Sequence, residues 1–279
     1  MRANFIKVNP CGNTTVFILD PFPRRVYSRV ASHVMRSTSL AAEQVGFVER
    51  PNLPGAIGRL HMMGGEFCGN ASRGFAAWLA ECHFPGMISH EGSKTFEIPL
   101  EVSGHHGVLT AIVSPDTLIE HRYRVEMSVP VPLWMKQKSI GGKDLHFTLV
   151  GFEGIFHAIV WNLPAQEDLF HLIKAEVKKE IEKVNSFGVM FYEEKTQSLT
   201  PVVYVRDVES MVWESSCGSG TVAVASALAE REKKSIKSLK ISQPGGVIEV
   251  SVRWEANVLE AETNGDVIIE AEGIVYFYL

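Results

Sequence analysis

CGNASRGFAAWLAE occupies residues 68–81, and CGSGTVAVASALAE occupies residues 217–230. The two segments share the leading Cys-Gly pair, and an alanine, a leucine, a second alanine and a glutamate recur at matching positions. A polar, glycine-containing turn before an alanine- and leucine-rich run predicts a loop that enters a helix. The repeat therefore predicts two similar helices, each with a cysteine at its N-terminus, and an internal duplication of the chain.

The setting of Cys68 and Cys217 indicates reactive thiols. A helix N-terminus offers N–H groups and a positive dipole end, which stabilise a thiolate and can lower a cysteine pKa to about 3.5–7.5. The polar neighbours of both cysteines are glycine, asparagine, serine and threonine. We therefore predict two catalytic thiols. Cys82, which falls late in the first helix, is predicted to pack in the core instead.

Composition limits the classes of partner. The chain has 279 residues, 46% hydrophobic and 21% charged, with a formal net charge of −5. This balance disfavours nucleic acid and anionic membrane surfaces. The start does not resemble a signal peptide, and no apolar run reaches the roughly 18 residues of a membrane span. With four cysteines and scattered histidines, we expect a cytoplasmic protein with a small-molecule substrate, no disulfide scaffold and no metal.

Hydrophobic patterning predicts an α+β chain with two lobes. The first part reads as strand, tight turn and strand over residues 5–20, a helix over 27–35, and four strands around the first cysteine-led helix. The second part repeats the pattern, with six strands and a charged amphipathic helix over about 167–184 before the second cysteine-led helix. A further strand, a Gln-Pro-Gly-Gly turn and three more strands are predicted to follow.

The predicted domain boundary lies near residue 120, in a polar segment. The first lobe is expected to span residues 1–120 and to be completed by a C-terminal strand over 268–279. The second lobe is expected to span residues 121–267. Each lobe would carry one of the two cysteines.

Residues at the second cysteine, together with His157, also match two other functional patterns. Residues 218–223 match a dinucleotide-binding GxGxxA turn, but no acidic residue stands about twenty positions further on. A cysteine nucleophile with His157 as its base would make a hydrolase, although that chemistry needs only one such cysteine. A role for His157 as a hydrogen-bonded interior histidine is an equal alternative.

Five segments carry a resemblance to a known family. They are Lys7 to Thr15, Glu43 to Phe47, Glu66 to Asn70, Trp213 to Thr221, and Gln243 to Gly246. These segments resemble the diaminopimelate epimerase family of cofactor-independent amino-acid racemases, and within it the histidine racemase branch of staphylopine-type (opine) metallophore biosynthesis. The match spans nearly the whole chain.

The chain departs from the diaminopimelate epimerases themselves at two places. The segment Val205 to Glu214 lacks the Glu-Arg-Gly that holds the distal amino-acid end of their substrate, and Ile155 replaces the Asn of their Gly-Asn-Pro-His. A substrate with a second charged amino-acid head is therefore disfavoured.

The resemblance implies both a fold and a reaction. The implied fold is two pseudo-symmetric lobes, each a barrel-like sheet around a central helix, with the active site in the cleft between them. One cysteine thiolate would remove the α-proton of an amino acid, and the other thiol would return a proton on the opposite face. The implied substrate is histidine, with Glu43 reading the imidazole, and the implied assembly is a homodimer.

The chemistry also predicts how the substrate carboxylate is held. No lysine lies in a context that suggests pyridoxal phosphate, so we expect no cofactor and expect preorganised N–H donors to stabilise the developing enediolate. The predicted substrate-binding residues are Asn13, Glu43, Gly69, Asn70, His157, Gly218, Ser219, Gly220 and Thr221.

Several alternatives remain open at this point. The same two-thiol mechanism would serve a diaminopimelate epimerase, a proline-racemase-like enzyme or a racemase of another amino acid. A double-bond isomerase of the same fold would use a carboxylate as its principal base. A non-enzymatic amino-acid-binding module would bind its ligand without exchanging the α-hydrogen.

Overall fold

The computed structural model describes residues 1–89, 92, 94–141, 145–182, 184, 186–206 and 210–278. The chain is rich in β-strand and also contains α-helices, which confirms the α+β class. It forms two compact units, which comprise Met1–Ser128 with Asn264–Leu279, and Val129–Thr263.

The strands, in chain order, are β1 (Arg2–Pro10), β2 (Thr15–Ile18), β3 (Gln44–Glu49), β4 (Gly58–Met62), β5 (Ile88–Ser89), β6 (Phe96–Val102), β7 (Val108–Pro115), β8 (Arg122–Ser128), β9 (Trp134–Ile140), β10 (Leu145–Gly151), β11 (Ile155–Trp161), β12 (Ser186–Glu193), β13 (Ser198–Val205), β14 (Ser210–Trp213), β15 (Ile236–Gln243), β16 (Gly246–Trp254) and β17 (Val258–Tyr276). The α-helices are α1 (Tyr27–Met35), α2 (Gly69–Glu81), α3 (Glu167–Glu176), α4 (Lys178–Ile181) and α5 (Gly218–Glu232).

In the first unit, the paired strands form a ladder that returns on itself. β1 pairs antiparallel with β2, β2 pairs parallel with β3, and the ladder continues through β4, β6, β7 and β8. β17 pairs antiparallel with β1 and also pairs with β8. Outside the ladder, α1 packs on β3, where the rings of Tyr27 and Phe47 stack with their centroids 3.6 Å apart.

Helix α2 packs against six strands of this unit: β1, β2, β4, β6, β7 and β8. Its small residues make that close packing possible. At Gly74, an added Cβ would lie 2.7 Å from Cγ2 of Val8, so glycine is required where the helix meets β1. Because most of its residues are buried, α2 is stabilised by contacts all around rather than along one face.

In the second unit, β9, β10 and β11 pair antiparallel in turn, and β11 pairs parallel with β12. β13 pairs with β12, β14 and β15, and β15 pairs with β16. Helix α5 packs against β10, β11, β12, β15 and β16. A separate aromatic core, which includes Phe156, Phe170 and Phe187, lies between α3 and the strands.

The predicted elements agree with the structure in most places and fail in a few. The helix predicted over residues 27–35 is α1. The amphipathic helix predicted over 167–184 is two helices, because Val177 leaves the helical conformation with φ −100° and ψ 20°. Three strands are predicted after the Gln-Pro-Gly-Gly turn, but the structure has two, β16 and β17, because β17 is a single strand of 19 residues. β9 was not predicted, and its burial pattern lacks strict alternation.

The prediction that Cys82 packs in the core is wrong. Its side chain is exposed. Helix α2 ends at Glu81, so Cys82 lies just beyond it, next to His83 in the left-handed conformation at φ 48°.

Within the part of the chain that the structure describes, no helix is long and apolar enough to cross a membrane.

Gly104 supports the segment that leads to Cys68, and its substitution gives a test of this packing. Gly104 has φ +68°, and an added Cβ would lie 2.2 Å from the backbone nitrogen of Phe67. Gly55 has φ +90° but no atom within 4 Å of an added Cβ. We expect Gly104→Ala to lower the free energy of unfolding by about 1–3 kcal/mol more than Gly55→Ala, because both share the backbone strain but only one has the clash. Denaturant unfolding measures the difference, and equal losses would contradict it.

Candidate active site

Cys68 caps the N-terminus of α2. Its backbone is extended, with φ −130° and ψ 109°, and its Sγ accepts a hydrogen bond from the Ala71 N–H at 3.4 Å. The thiol in turn donates to Oε1 of Gln44 at 2.9 Å. The side chain is half-buried. The thiol of Cys68 therefore lies between a helix N–H and a side-chain amide, and part of it remains open to solvent.

Cys217 occupies the same position in α5. Its backbone has φ −133° and ψ 109°, nearly identical to the values at Cys68. Both cysteines also direct their carbonyl oxygens to the N–H four residues on, which is Ser72 in one helix and Thr221 in the other. The sequence repeat is therefore also a repeat of local backbone geometry.

Gln243 fixes the start of α5. Its Oε1 accepts the Cys217 N–H at 2.8 Å, and its Nε2 donates to Oγ1 of Thr221 at 2.9 Å. The Thr221 hydroxyl donates to the carbonyl oxygen of Cys217 at 2.7 Å, and the Thr221 N–H bonds to the same oxygen at 3.0 Å. The N–H and hydroxyl of Thr221, which the sequence assigns to substrate, thus bond within the turn that carries Cys217.

The environment of Cys217 favours the protonated thiol. Burial raises the pKa of Cys217 well above its usual value, and the negative charge of Glu214 raises it further. Hydrogen bonds from Ser219 and the Gly220 N–H oppose these effects. The lowered pKa expected at a helix N-terminus is therefore not found at Cys217, because desolvation of the thiolate outweighs the helix contribution.

His157 contacts the same turn through Ser219. Its Nε2 lies 2.8 Å from the Ser219 hydroxyl, which lies 3.6 Å from Sγ of Cys217. Its Nδ1 is buried without a hydrogen-bond partner among the described residues. An added Cβ at Gly188 would lie 2.4 Å from this atom, so only glycine leaves room for the ring. Burial lowers the pKa of His157 to about 3, so the imidazole is neutral at physiological pH.

Asn13 and Glu43 are brought together in the first unit. The buried Asn13 donates from Nδ2 to Oε2 of Glu43 at 2.8 Å, and the Glu43 N–H donates to the Thr14 carbonyl at 2.9 Å. The tight turn before Asn13 is closed by a hydrogen bond from the Gly12 N–H to Oδ1 of Asn9 at 2.7 Å. Glu43 is therefore a positioned carboxylate and not a loose surface residue.

Gly69 and Asn70 form the buried first turn of α2, directly after Cys68. Gly218 and Gly220 are likewise buried at the start of α5, where Ser219 is only partly buried. The first N–H groups of a helix lack intrahelical acceptors and suit an anion such as a carboxylate. Both helix starts therefore have the chemistry to bind one.

Sequence reasoning missed several residues that shape these two turns. Gln44, Arg73, Glu214 and Gln243 were given no role, although Gln44, Glu214 and Gln243 lie inside the motifs that carried the family resemblance. Each acts on a residue distant in sequence or through a long side chain, and a local motif does not disclose such contacts. Among the described residues, no group of three or more His, Cys, Asp or Glu side chains is arranged to hold a metal ion.

Neutral, buried His157 predicts a pH dependence of stability. The unfolded chain binds a proton at His157 near pH 6.5, whereas the folded chain binds it only near pH 3. The contribution of His157 to the free energy of unfolding is therefore complete above about pH 6.5 and falls toward pH 3, by up to about 1.4 kcal/mol per pH unit. His157→Gln should remove this component of the slope.

The measurement is the free energy of unfolding from pH 7.5 to 4 for the wild type and the variant. His171→Gln is the matched control, because His171 is exposed on α3. If His157→Gln and His171→Gln changed the slope of the unfolding free energy against pH by the same amount, the prediction would be contradicted.

Comparison with known proteins places the chain in a family. Residues 2–276 match the model of the histidine racemase CntK N-terminal domain. A histidine racemase of Fusobacterium nucleatum subsp. nucleatum is 34% identical over 277 residues, which cover 98% of this chain and 97% of that protein. A histidine racemase of Staphylococcus aureus is 28% identical over 276 residues, with 98% and 97% covered.

Solved structures share the fold at low sequence identity. A probable proline racemase from Agrobacterium radiobacter with bound carbonate is 13% identical, with a TM-score of 0.70 over 99% of this chain and 93% of that one. A hydroxyproline epimerase from Agrobacterium vitis with bound trans-4-hydroxy-L-proline is 13% identical, with a TM-score of 0.68 over 98% and 92%. The fold is that of these racemases and epimerases, and the family match over nearly the whole sequence is decisive: the chain belongs to the histidine racemase family and is an isomerase, an amino-acid racemase.

Proposed function

We propose that this protein interconverts L-histidine and D-histidine without a cofactor, with Cys68 and Cys217 as its two acid–base groups. The observation that carries the proposal is the matched pair of cysteines, each in the same extended conformation at the head of a buried helix. The names of the relatives, which are histidine racemases, support the choice of substrate.

The proposed reaction moves two protons at the α-carbon. For one enantiomer, the thiolate of one cysteine takes the α-proton, so that the C–H bond breaks, an S–H bond forms, and the electron pair passes into the carboxylate as an enediolate. The thiol of the other cysteine then gives its proton to the opposite face of the α-carbon and becomes a thiolate. The reverse enantiomer reacts with the roles exchanged.

The hard step is stabilising the enediolate, since no pyridine ring accepts the electron pair. The N–H groups at the starts of α2 and α5 are suited to this task, because helix N-termini favour the charge that develops on the carboxylate. Gly69 and Asn70 supply such groups in one unit, and Gly218 and Ser219 in the other. Thr221 instead stabilises the turn, because its N–H and hydroxyl bond to the Cys217 carbonyl.

The two thiols are suited to different starting states. Burial and the charge of Glu214 raise the pKa of Cys217, which favours this residue as the protonated partner at rest. Cys68 is half-buried, accepts the Ala71 N–H and donates to Gln44; we assign it as the thiolate at rest because its exposure makes a charged sulfur less costly than at buried Cys217. The neutral His157, through Ser219, keeps the Cys217 thiol in a fixed hydrogen-bonded setting.

Glu43 is the proposed reader of the imidazole. Its carboxylate accepts from Nδ2 of the buried Asn13, which fixes its position. A carboxylate placed to accept an imidazole N–H discriminates strongly against substrates that leave it unpaired. This contact would distinguish histidine from an apolar amino acid of similar size.

The proposal also covers the fold of the whole chain and the use of the product. The proposed fold is two pseudo-symmetric lobes, each with its cysteine-led helix at the centre of a barrel-like sheet, and the D-histidine produced would serve opine metallophore biosynthesis. The homodimer and the cytoplasmic location remain predictions.

The proposal predicts that either cysteine variant abolishes racemisation. Purified, reduced protein is incubated with L-histidine in D₂O, α-deuteration is followed by NMR, and chirality is followed by chromatography. We expect wild type to form deuterated D-histidine without added cofactor, and Cys68→Ser and Cys217→Ser to lose at least about 10³-fold in rate, because serine is a far weaker acid than cysteine. Cys82→Ser, at an exposed cysteine, is the matched control and should keep full activity.

The outcomes separate the alternatives. Exchange only with meso-diaminopimelate or another amino acid would overturn histidine as substrate but keep the two-thiol mechanism. Full activity in either Cys68→Ser or Cys217→Ser would overturn that mechanism. Binding of histidine without α-exchange in the wild type would identify an amino-acid-binding module instead.

Glu43→Gln tests the recognition of the imidazole. The variant keeps the side-chain length and an acceptor for Asn13 but removes the charge. We expect the ratio of kcat/KM for L-histidine to that for L-β-(2-thienyl)alanine, which lacks the N–H, to fall at least about tenfold. Glu49→Gln is the control, since this carboxylate pairs with Arg24 and Arg59 elsewhere in the unit. An unchanged ratio in Glu43→Gln would refute the assignment.

A further inference from the structure

Arg73 is a fully buried arginine in the first unit. It lies on α2, five residues after Cys68, with a relative exposure of 0%. Arginine is almost never fully buried unless it is paired, because removing its charge from water is costly. A hydrophobic side chain of similar volume would fill the same space at lower cost. The position of this charge therefore calls for an explanation.

The contacts of Arg73 join the two turns that carry the proposed substrate-binding residues. Its Nη2 donates to Oδ1 of Asn70 at 2.7 Å. It also hydrogen-bonds to Cys11, in the turn just before Asn13. The guanidinium lies against Gly265, where an added Cβ would be 3.4 Å from Nη2 and 3.5 Å from Cζ. Glycine at this position lets β17 approach the charged group closely.

The contact with Asn70 fixes which end of that carboxamide faces the helix start. A guanidinium only donates hydrogen bonds, so the carboxamide must turn its oxygen toward Arg73. The NH₂ end of Asn70 is then directed away from Arg73. A carboxamide held in this way presents a donor, which is the group that a substrate carboxylate requires.

The guanidinium of Arg73 lies near the N-terminal end of α2, because it bonds to Asn70, two residues after Cys68. Burial lowers the pKa of Arg73, and interactions with Cys11, Cys68 and Asp266 oppose that change. Arginine remains protonated in proteins, so this cation is permanent. In a buried environment, a fixed positive charge favours a neighbouring thiolate more strongly than it would in water.

We propose that Arg73 is a positioning residue of the racemase, which orients the Asn70 carboxamide as a donor and supplies the buried positive charge that stabilises the Cys68 thiolate. This inference rests on the proposed two-cysteine function. It assigns two separable tasks to one side chain, the charge to Cys68 and the hydrogen-bonding fork to Asn70.

The first test isolates the charge and does not depend on racemase activity. Alkylation of Cys68 by iodoacetamide is followed from pH 5 to 10 in a Cys217→Ser background, and mass spectrometry of the Cys68 peptide excludes signal from Cys11 and Cys82. We expect Arg73→Gln to raise the pH midpoint of alkylation by about one unit or more, because it keeps a donor but loses the charge. Arg73→Lys keeps the charge and should leave the midpoint unchanged.

Arg59→Gln is the matched control for loss of a largely buried guanidinium in the same unit. Arg59 pairs with Glu49 and Glu101, and it should not move the Cys68 midpoint. A midpoint in Arg73→Gln equal to that of the wild type would overturn the proposal. An equal shift in Arg59→Gln would also overturn it, since the effect would then follow from general destabilisation.

The second test isolates the hydrogen bond from the planar guanidinium of Arg73 to Asn70. It does not use Arg73→Gln, so it still tests the proposal if that variant fails to fold. A lysine cannot reproduce the planar guanidinium contact, so Arg73→Lys should lower kcat/KM for histidine by about tenfold. In an Asn70→Ala background the same change should have little further effect, because the carboxamide to be oriented is gone. A loss of the same size in both backgrounds would overturn the positioning role.

The two failures are distinguishable. A wild type that exchanges no α-hydrogen refutes the proposed function. A wild type that racemises while Arg73→Gln keeps its Cys68 midpoint, or while Arg73→Lys acts independently of Asn70, refutes only the role of Arg73.

Discussion

The unsatisfied N–H groups at the starts of two buried helices are the constraint on which the rest of the structure depends. A helix that begins inside a protein must find acceptors for its first N–H groups, because water is not there to provide them. In this chain Cys68 and Cys217 provide the N-cap residue in nearly the same extended conformation. The small residues of both helices allow strands to pack around them. The two residues that begin these helices are therefore the same two that we propose to carry the chemistry.

Two thiols with the same backbone geometry differ because their surroundings differ. Cys68 keeps some exposure, and the buried cation of Arg73 bonds to Asn70 in the first turn after it, whereas Cys217 is buried next to Glu214 and bonded to Ser219. Desolvation and a nearby carboxylate both favour the neutral thiol, while a cation favours the thiolate. The proposed two-thiol reaction needs one group of each kind at the outset, and the residues around each copy of the motif would supply that difference.

The sequence predicts local features well and long-range contacts poorly. α1 and the two cysteine-led helices follow from local periodicity and composition, which is why their positions were predicted correctly. The break at Val177 was missed because the amphipathic pattern continues across this buried residue, while its backbone leaves the helical conformation. The two cysteines of the proposed site were predicted from a repeat, but Gln243 was given no role, because its contact with Cys217 spans 26 positions of the sequence. No local pattern encodes that partner.

The long strand β17 has a consequence for synthesis of the protein on the ribosome. Its second part pairs along β1, with Arg2 opposite Tyr276 and Pro10 opposite Val267, and it also pairs with β8. The first unit therefore combines strands that precede the second unit in the sequence with a strand segment that follows it. Until β17 emerges, the edges of β1 and β8 that pair with it are open, and open strand edges are sites for aggregation. Nascent chains of this protein must keep those edges protected while the whole second unit is made.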